Sequence, residues 1–150
     1  MGDFNIKDLE KFLNTASDNC YLGEFKLAET IERKNFFEME YSQGDWTYRD
    51  SFAGFYISTG QEIIRYKNIP VWSSNYGGGV IAKYVGNMEF FTKLEAFLRT
   101  SLSKSNNNSY SPRGPKEYKE KVWRYECNWE GDITQFNGLE NIFPFFKFNS

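Results

Sequence analysis

The first twenty residues carry apolar side chains at helical spacing. Intervals typical of one helix face separate Ile6, Leu9, Leu13 and Ala16. Asn5 precedes this stripe and belongs to the residue types that cap helix N-termini. The pattern predicts a first helix that begins after Asn5 and packs its apolar stripe on a sheet.

From about residue 35 the period of the pattern changes to two. Phe37, Met39 and Tyr41 then share one face of a strand, and the glutamates between them share the other face. The stretch from 35 to 76 is divided by three groups of turn-forming residues, SQGD at 42–45, STG at 58–60 and YKN at 66–68. These features predict a four-stranded antiparallel meander.

A second apolar stripe follows Asn87, which can cap another helix. Its members are Phe90, Phe91, Leu94, Phe97, Leu98 and Leu102. We expect this helix to cover the other end of the core. The Ser-, Asn-, Pro- and Gly-rich stretch at 101–115 predicts an exposed loop.

The last third of the chain returns to strand patterns. The segment 122–132, VWRYECNWEGD, alternates strictly, and Asn137-Gly138 is typical of a hairpin turn between two further strands. FFKF at 145–148 is the expected closing strand. The pattern G-x-E-x-I occurs at 60–64 and again at 138–142, a match too short to decide between duplication and chance.

These patterns together predict an α+β fold in a single domain over residues 1–150. Its centre would be a strongly twisted, mainly antiparallel sheet of seven or eight strands, with two helices packed on it. The pattern is also compatible with a closed or half-closed barrel.

Composition narrows the possible partners and chemistry. The 150 residues include 15 Phe, 10 Tyr and 4 Trp, which favours strands and a core of packed rings. The formal net charge of -2 gives no field that would gather phosphates, so nucleic acid is not an expected partner. Histidine is absent, which excludes histidine-dependent catalysis and most zinc sites.

The remaining expectations concern location and cofactors. The sequence shows no signal-peptide pattern and no apolar run long enough for a membrane span, so we expect a cytoplasmic protein without a membrane partner. Cys20 and Cys127 are single and widely spaced, which favours buried free thiols. No metal site and no cofactor is predicted.

Several short motifs resemble a bacterial family of domains of unknown function. The resemblance lies in YSQGDWTYRDSFAGFYISTGQEIIRYKNIPVWSSNYGG at 41–78 and continues in RGPKEY, in YEC before Gly131-Asp132, and in F-x-G-x-E-x-I. Members sometimes follow a helix-turn-helix, which implies a sensory or regulatory role. This chain starts almost at the domain, so a DNA-binding role is not transferred. Ser74 stands where members tend to have a larger apolar residue, which bears on the shape of any pocket there. The family has no established catalytic residues, so none is transferred.

Strand parity makes Asp50 the most informative residue. In GDWTYRDSF it shares a face with Trp46, Tyr48 and Phe52, where a carboxylate is costly unless it is hydrogen-bonded or protonated. One interpretation is a structural acceptor for backbone or tyrosine donors. The other is a ligand-binding or acid–base group in an aromatic pocket, suited to a cation or a polyhydroxylated ligand.

Glu62 and the segment WSSNYGGG at 72–79 extend this hypothesis. Glu62 is either an exposed turn residue or the partner of Asp50 in a carboxylate pair. Trp72, Asn75 and Tyr76 either end a strand or form the mouth of a pocket. The three glycines match no phosphate-binding loop and are expected to turn the chain sharply.

We therefore expect a non-catalytic small-molecule-binding or regulatory domain with an aromatic pocket around Asp50. One alternative is a protein-interaction module that forms a homodimer through an edge strand. A second alternative is a carboxylate-dependent enzyme that uses Asp50 and Glu62.

Overall fold

The computed structural model describes residues 3–22, 26–104 and 110–144. Within these ranges the chain forms two α-helices, one short 3-10 helix and seven strands, which confirms the α+β class. The helices are α1 (Ile6–Tyr21) and α2 (Met88–Leu102). The strands are β1 (Phe37–Gln43), β2 (Trp46–Gly54), β3 (Ile57–Tyr66), β4 (Ile69–Gly79), β5 (Glu117–Glu120), β6 (Trp123–Asp132) and β7 (Gln135–Pro144).

The seven strands are arranged in two antiparallel sheets, and neither sheet is a closed barrel. One sheet has the order β1-β2-β3-β4 and the other the order β5-β6-β7. The chain also divides into two compact units, Met1–Phe91 and Thr92–Ser150. The single domain over residues 1–150 stays a prediction.

In the first unit, helix α1 begins at the expected cap. The side chain of Asn5 accepts the backbone N–H of Asp8 at 3.0 Å, and the Asp8 carboxylate accepts the N–H of Asn5 in return. The helix packs on β1 and β2. Its buried residues are Leu9, Phe12, Leu13, Ala16 and Cys20, so the predicted stripe is confirmed except for the exposed Ile6.

The meander of the first unit is confirmed, but its middle turn lies earlier than predicted. β2 ends at Gly54 and β3 begins at Ile57, so the STG sequence at 58–60 lies inside β3. Gly54 has a φ of +106, and a Cβ there would lie 2.1 Å from the carbonyl oxygen of Ile57. The chain reverses where only glycine fits, and not at the more typical turn sequence.

The three glycines after Tyr76 do not turn the chain as expected. Gly77, Gly78 and Gly79 continue β4 and pair with residues 57–59 of β3. At Gly79 a Cβ would meet the carbonyl oxygen of Tyr56 at 2.3 Å. Glycine here permits close approach between strands, so β4 is longer than the pattern predicts.

In the second unit, β6 is confirmed and the predicted hairpin turn at Asn137-Gly138 is wrong. Both residues lie inside β7, opposite Glu130 and Trp129. The reversal occurs between β6 and β7, where the Asp132 carboxylate accepts the N–H of Thr134 at 2.8 Å. The Asx-type turn at Asp132 is formed locally, which leaves the Asn-Gly pair free to extend the strand.

The second unit encloses a small core. Phe97 of α2 packs with the buried Tyr125 and Cys127 of β6. Of the predicted exposed loop at 101–115, Ser101 and Gly114 are buried. Residues 105–109 of that loop and the expected closing strand at 145–148 lie outside the described residues.

Replacing Gly54 tests the reversal between β2 and β3. We expect Gly54→Ala to lower the free energy of unfolding by more than about 1 kcal/mol, because alanine disfavours this φ and its Cβ would collide with the backbone. Gly78→Ala is the control, since a Cβ at Gly78 meets nothing within 4 Å. Urea denaturation measures both, and equal losses would contradict this account of the turn.

Candidate functional site

Two acidic side chains lie next to each other on the helix-covered side of the first sheet. Asp50 of β2 and Glu62 of β3 are register partners in the antiparallel pairing. Directly opposite residues have their Cβ atoms about 5 Å apart. Asp50 is 1% exposed and Glu62 is 6% exposed, so the sheet buries a carboxylate pair near its centre.

Two tyrosines donate hydrogen bonds to Asp50. The Tyr76 hydroxyl donates to Oδ1 at 2.7 Å, and the Tyr21 hydroxyl donates to Oδ2. Tyr21 is the last residue of α1, whereas Tyr76 lies on β4. The carboxylate therefore links the end of the helix to the edge of the sheet.

Glu62 also accepts two hydroxyl groups. The Tyr48 hydroxyl donates to Oε1 at 2.7 Å, and the Ser74 hydroxyl donates to Oε2. The hydroxyls of Tyr48 and Tyr21 lie 3.3 Å apart, which joins the two carboxylates through their donors. The resulting polar cluster contains Tyr21, Tyr48, Asp50, Glu62, Ser74 and Tyr76, and we call it the carboxylate cluster.

Gly60 gives Tyr76 the space to reach Asp50. A Cβ at Gly60 would lie 2.3 Å from both Cζ and the hydroxyl oxygen of Tyr76. Gly60 and Tyr76 are register partners on β3 and β4, so the tyrosine ring crosses directly over the glycine. The glycine of the G-x-E motif thus positions a donor for the neighbouring acid.

The electrostatics of the carboxylate cluster keep its donors protonated. Burial, followed by the charge of Glu62, raises the pKa of Tyr48 well above its ordinary value of 10.0. Burial and the nearby charge of Asp50 raise the pKa of Cys20 to about 12. The Tyr48 hydroxyl therefore remains a donor at neutral pH, and Cys20 is a neutral thiol and not a nucleophile.

The structure brings together part of the predicted site. Asp50, Tyr48, Glu62 and Tyr76 are members of the carboxylate cluster. Trp72 is half-buried on β4, opposite the buried Ile64 of the same sheet.

Two predicted site residues lie elsewhere. Trp46 is the first residue of β2, and its ring packs against Phe4, Phe12 and Tyr66. Asn75 is exposed on β4, and its side chain accepts a hydrogen bond from Gln61 at 3.1 Å. Alternation along β4 places Asn75 on the opposite face from Tyr76.

Tyr21 was missed by the sequence analysis, and so was the bonding role of Ser74. Alternation along β4 places Ser74 on the same face as Tyr76, and this pattern could have indicated that Ser74 belongs to the site. Tyr21 lies outside the apolar stripe of α1, so no periodic signal marked it.

The other face of the same sheet carries a second buried polar group. Arg49 of β2 forms ion pairs with Glu32, Glu38 and Glu40. Glu38 also accepts the backbone N–H groups of Glu32 and Arg33, at 2.6 and 3.1 Å. These bonds hold the segment before β1 against the sheet.

Glu38 has an altered acidity in this second group. Burial alone would raise its pKa, but hydrogen bonds from the Glu32 backbone and the Ser51 hydroxyl, together with the charge of Arg49, lower the pKa below 4.5. A carboxylate with a lowered folded-state pKa stabilises the fold above its ordinary pKa. The contribution is lost as the pH falls through the folded-state value.

Within residues 3–22, 26–104 and 110–144, no three acidic or cysteine side chains are placed to hold a metal ion. Likewise, neither helix in those ranges is long and apolar enough to cross a membrane.

The fold and the site define an α+β protein with a buried carboxylate pair on an antiparallel sheet. A family model described as a domain of unknown function (DUF5680) matches residues 50–146, most of the chain, and the chain belongs to this family. The match begins at Asp50 itself and includes Glu62 and Tyr76. Comparison with curated proteins and with solved structures gave no match.

Removing one donor tests whether the carboxylate cluster stabilises the fold. We expect Tyr48→Phe to lower the free energy of unfolding by about 1–3 kcal/mol, because it takes a hydroxyl from the buried Glu62. Tyr41→Phe is the control, as the Tyr41 hydroxyl makes no bond within the described residues. Denaturant titration at pH 7 compares them, and a loss no larger than the control's would refute a bonding role for Tyr48.

The altered acidity of Glu38 predicts a change in pH dependence. Glu38→Gln should destabilise the protein above pH 4.5 and flatten the fall in stability as the pH drops below that value. Unfolding free energies measured from pH 7 to pH 3 check this. The exposed Glu29→Gln is the control and should keep the native pH profile; an unchanged profile in Glu38→Gln would count against the buried ion group.

Proposed function

We propose that the first unit is a non-catalytic binding domain for a small organic cation, which it recognises through the carboxylate cluster. Asp50 and Glu62 would supply the charge, and Tyr21, Tyr76 and Trp72 would surround the ligand. The observation that carries this proposal is the pair of buried carboxylates on adjacent strands, among aromatic rings.

Electrostatics supports a cation as the ligand. Two like charges at neighbouring buried positions destabilise each other, and a positive group between them relieves the repulsion. Aromatic faces add an attraction that is specific to cations. A site of this kind would therefore bind cations in preference to neutral molecules of the same shape.

The burial of individual side chains supports a route by which a ligand reaches the carboxylates past Tyr21 and Tyr76. Asp50 is buried, whereas Tyr21, Tyr76 and Trp72 are only half-buried. A ligand that approaches would meet the phenol and indole groups first. Its own N–H groups could then replace a tyrosine hydroxyl as donor to the carboxylate without leaving the acid unsatisfied.

The chemistry of the site favours binding over catalysis. Each carboxylate already accepts two hydroxyl donors, and the neighbouring thiol is neutral at physiological pH. Homodimerisation, carboxylate-dependent catalysis and a cytoplasmic location remain predictions from the sequence. A regulatory role would follow if cation binding changed the behaviour of a partner.

Ligand-dependent stabilisation tests the proposal. A library of organic cations and neutral analogues, screened by thermal unfolding at constant ionic strength, should contain cations that raise the melting temperature of the native protein. At a ligand concentration about 100 times Kd the added stability is about 2.7 kcal/mol. Asp50→Asn should abolish the shift, because it removes the charge and keeps the shape.

Asp45→Asn is the matched control, since it makes the same chemical change at an exposed acid of the same unit. Glu62→Gln provides a second variant if Asp50→Asn unfolds. The proposal fails if no cation stabilises the native protein, or if the stabilisation persists in both cluster variants.

A further inference from the structure

The two units repeat one arrangement of residues. In β2 the repeated residues are Trp46, Tyr48, Asp50, Phe52 and Gly54, and in β6 they are Trp123, Tyr125, Cys127, Trp129 and Gly131 at the same spacing. Gly54, the last residue of β2, and Gly131, the next-to-last residue of β6, both have positive φ, +106 and +95. The short G-x-E-x-I match in the sequence is therefore part of a longer repeat.

The pairing with the next strand repeats as well. Glu62 lies opposite Asp50, and Glu140 lies opposite Cys127. The flanking pairs also correspond, with Gly60 opposite Phe52, Gly138 opposite Trp129, Ile64 opposite Tyr48 and Ile142 opposite Tyr125. Identical register at three successive inward positions makes Glu140 the counterpart of Glu62.

The helices before the strands begin in the same way. Asn5 accepts the N–H of Asp8, and Asn87 accepts the N–H of Phe90, both at 3.0 Å. An Asn-capped helix thus precedes each set of antiparallel strands, α1 before β1–β4 and α2 before β5–β7. Residues at equivalent positions of the two sets of strands can therefore be compared.

The counterpart carboxylate in the second unit holds a cation. Tyr125 donates its hydroxyl to Glu140 at 2.7 Å, as Tyr48 does to Glu62 at the same distance. Arg113 then donates from Nε to Glu140 Oε2 at 3.3 Å. The chain has placed a guanidinium group of its own against the carboxylate of this repeated frame.

The first unit has a second acidic residue in the same frame. Its second acid, Asp50, occupies the position of Cys127, whose pKa is raised by burial so that the thiol stays neutral. Two carboxylates side by side offer several acceptor oxygens to one planar donor. Guanidinium groups match such acceptors with parallel N–H bonds and also stack on aromatic rings.

We propose that the ligand of the Asp50–Glu62 pair carries a guanidinium group, because the chain holds Arg113 on the equivalent carboxylate, Glu140. This inference rests on the proposed function and specifies its ligand class. The guanidinium would donate to both acids, and its plane would lie against the rings of Tyr76 or Trp72.

Four small probes of similar size distinguish this class from other cations. They are methylguanidinium, methylammonium, tetramethylammonium and neutral N-methylurea, titrated into the native protein at constant ionic strength with NMR detection. We expect methylguanidinium to bind about tenfold or more tighter than tetramethylammonium, which has no N–H donor. N-methylurea should not bind, and Asp50→Asn should lose the methylguanidinium site while Asp45→Asn keeps it.

The possible failures of this experiment are distinct. If methylammonium and tetramethylammonium bind as tightly as methylguanidinium, and all three depend on Asp50, the guanidinium inference is wrong and cation binding stands. If no cation binds, both the inference and the proposed function are wrong.

A variant of the second unit tests the comparison independently. Arg113→Ala removes the internal guanidinium from Glu140, so methylguanidinium should bind at this second position and raise the lowered melting temperature of the variant. Methylammonium should do so less effectively, and adding Glu140→Gln should remove the effect. Absence of a second site in Arg113→Ala would overturn the equivalence of Arg113 and the ligand.

Discussion

Burial of two carboxylates on adjacent strands is the constraint on which the first unit depends. Each acid needs donors, since an unsatisfied buried charge would cost several kcal/mol. The donors come from α1, β2 and β4, so the acid pair links the end of the helix to these strands. Gly60 is part of the same solution, because any larger residue would displace the Tyr76 ring.

Alternation along β2 was sufficient to place Asp50 and Tyr48 on one buried face. Pairing was harder to predict, because it depends on the position of the turn. With a turn at 58–60, Glu62 would follow the reversal closely; with the reversal at 55–56, it lies opposite Asp50. Tyr21 could not be found from its own segment, since its contact with Asp50 depends on how α1 packs on the sheet.

Glycine was the residue that the sequence analysis interpreted least well. Gly60 and Gly138 were taken as turn signals, yet both lie within strands. Gly60 lies against the Tyr76 ring, whereas a Cβ at Gly138 would meet the carbonyl oxygen of Asn128 at 2.9 Å. Both glycines therefore allow close approach from the neighbouring strand, a requirement that depends on strand pairing and leaves no local signal.

The burial of polar residues on β2 raises the question of whether the Asp50–Glu62 pair serves only to stabilise the fold. Tyr48, Arg49, Asp50 and Ser51 are all buried, so this strand is polar on both faces. Arg49 lies on the opposite face from Asp50, and its ion pairs with three glutamates occupy its charge there. Apolar residues of similar size commonly stabilise a core as well as buried charges do. Stability therefore gives no reason to prefer the acid pair over apolar residues here, and the cation binding that we propose would supply such a reason.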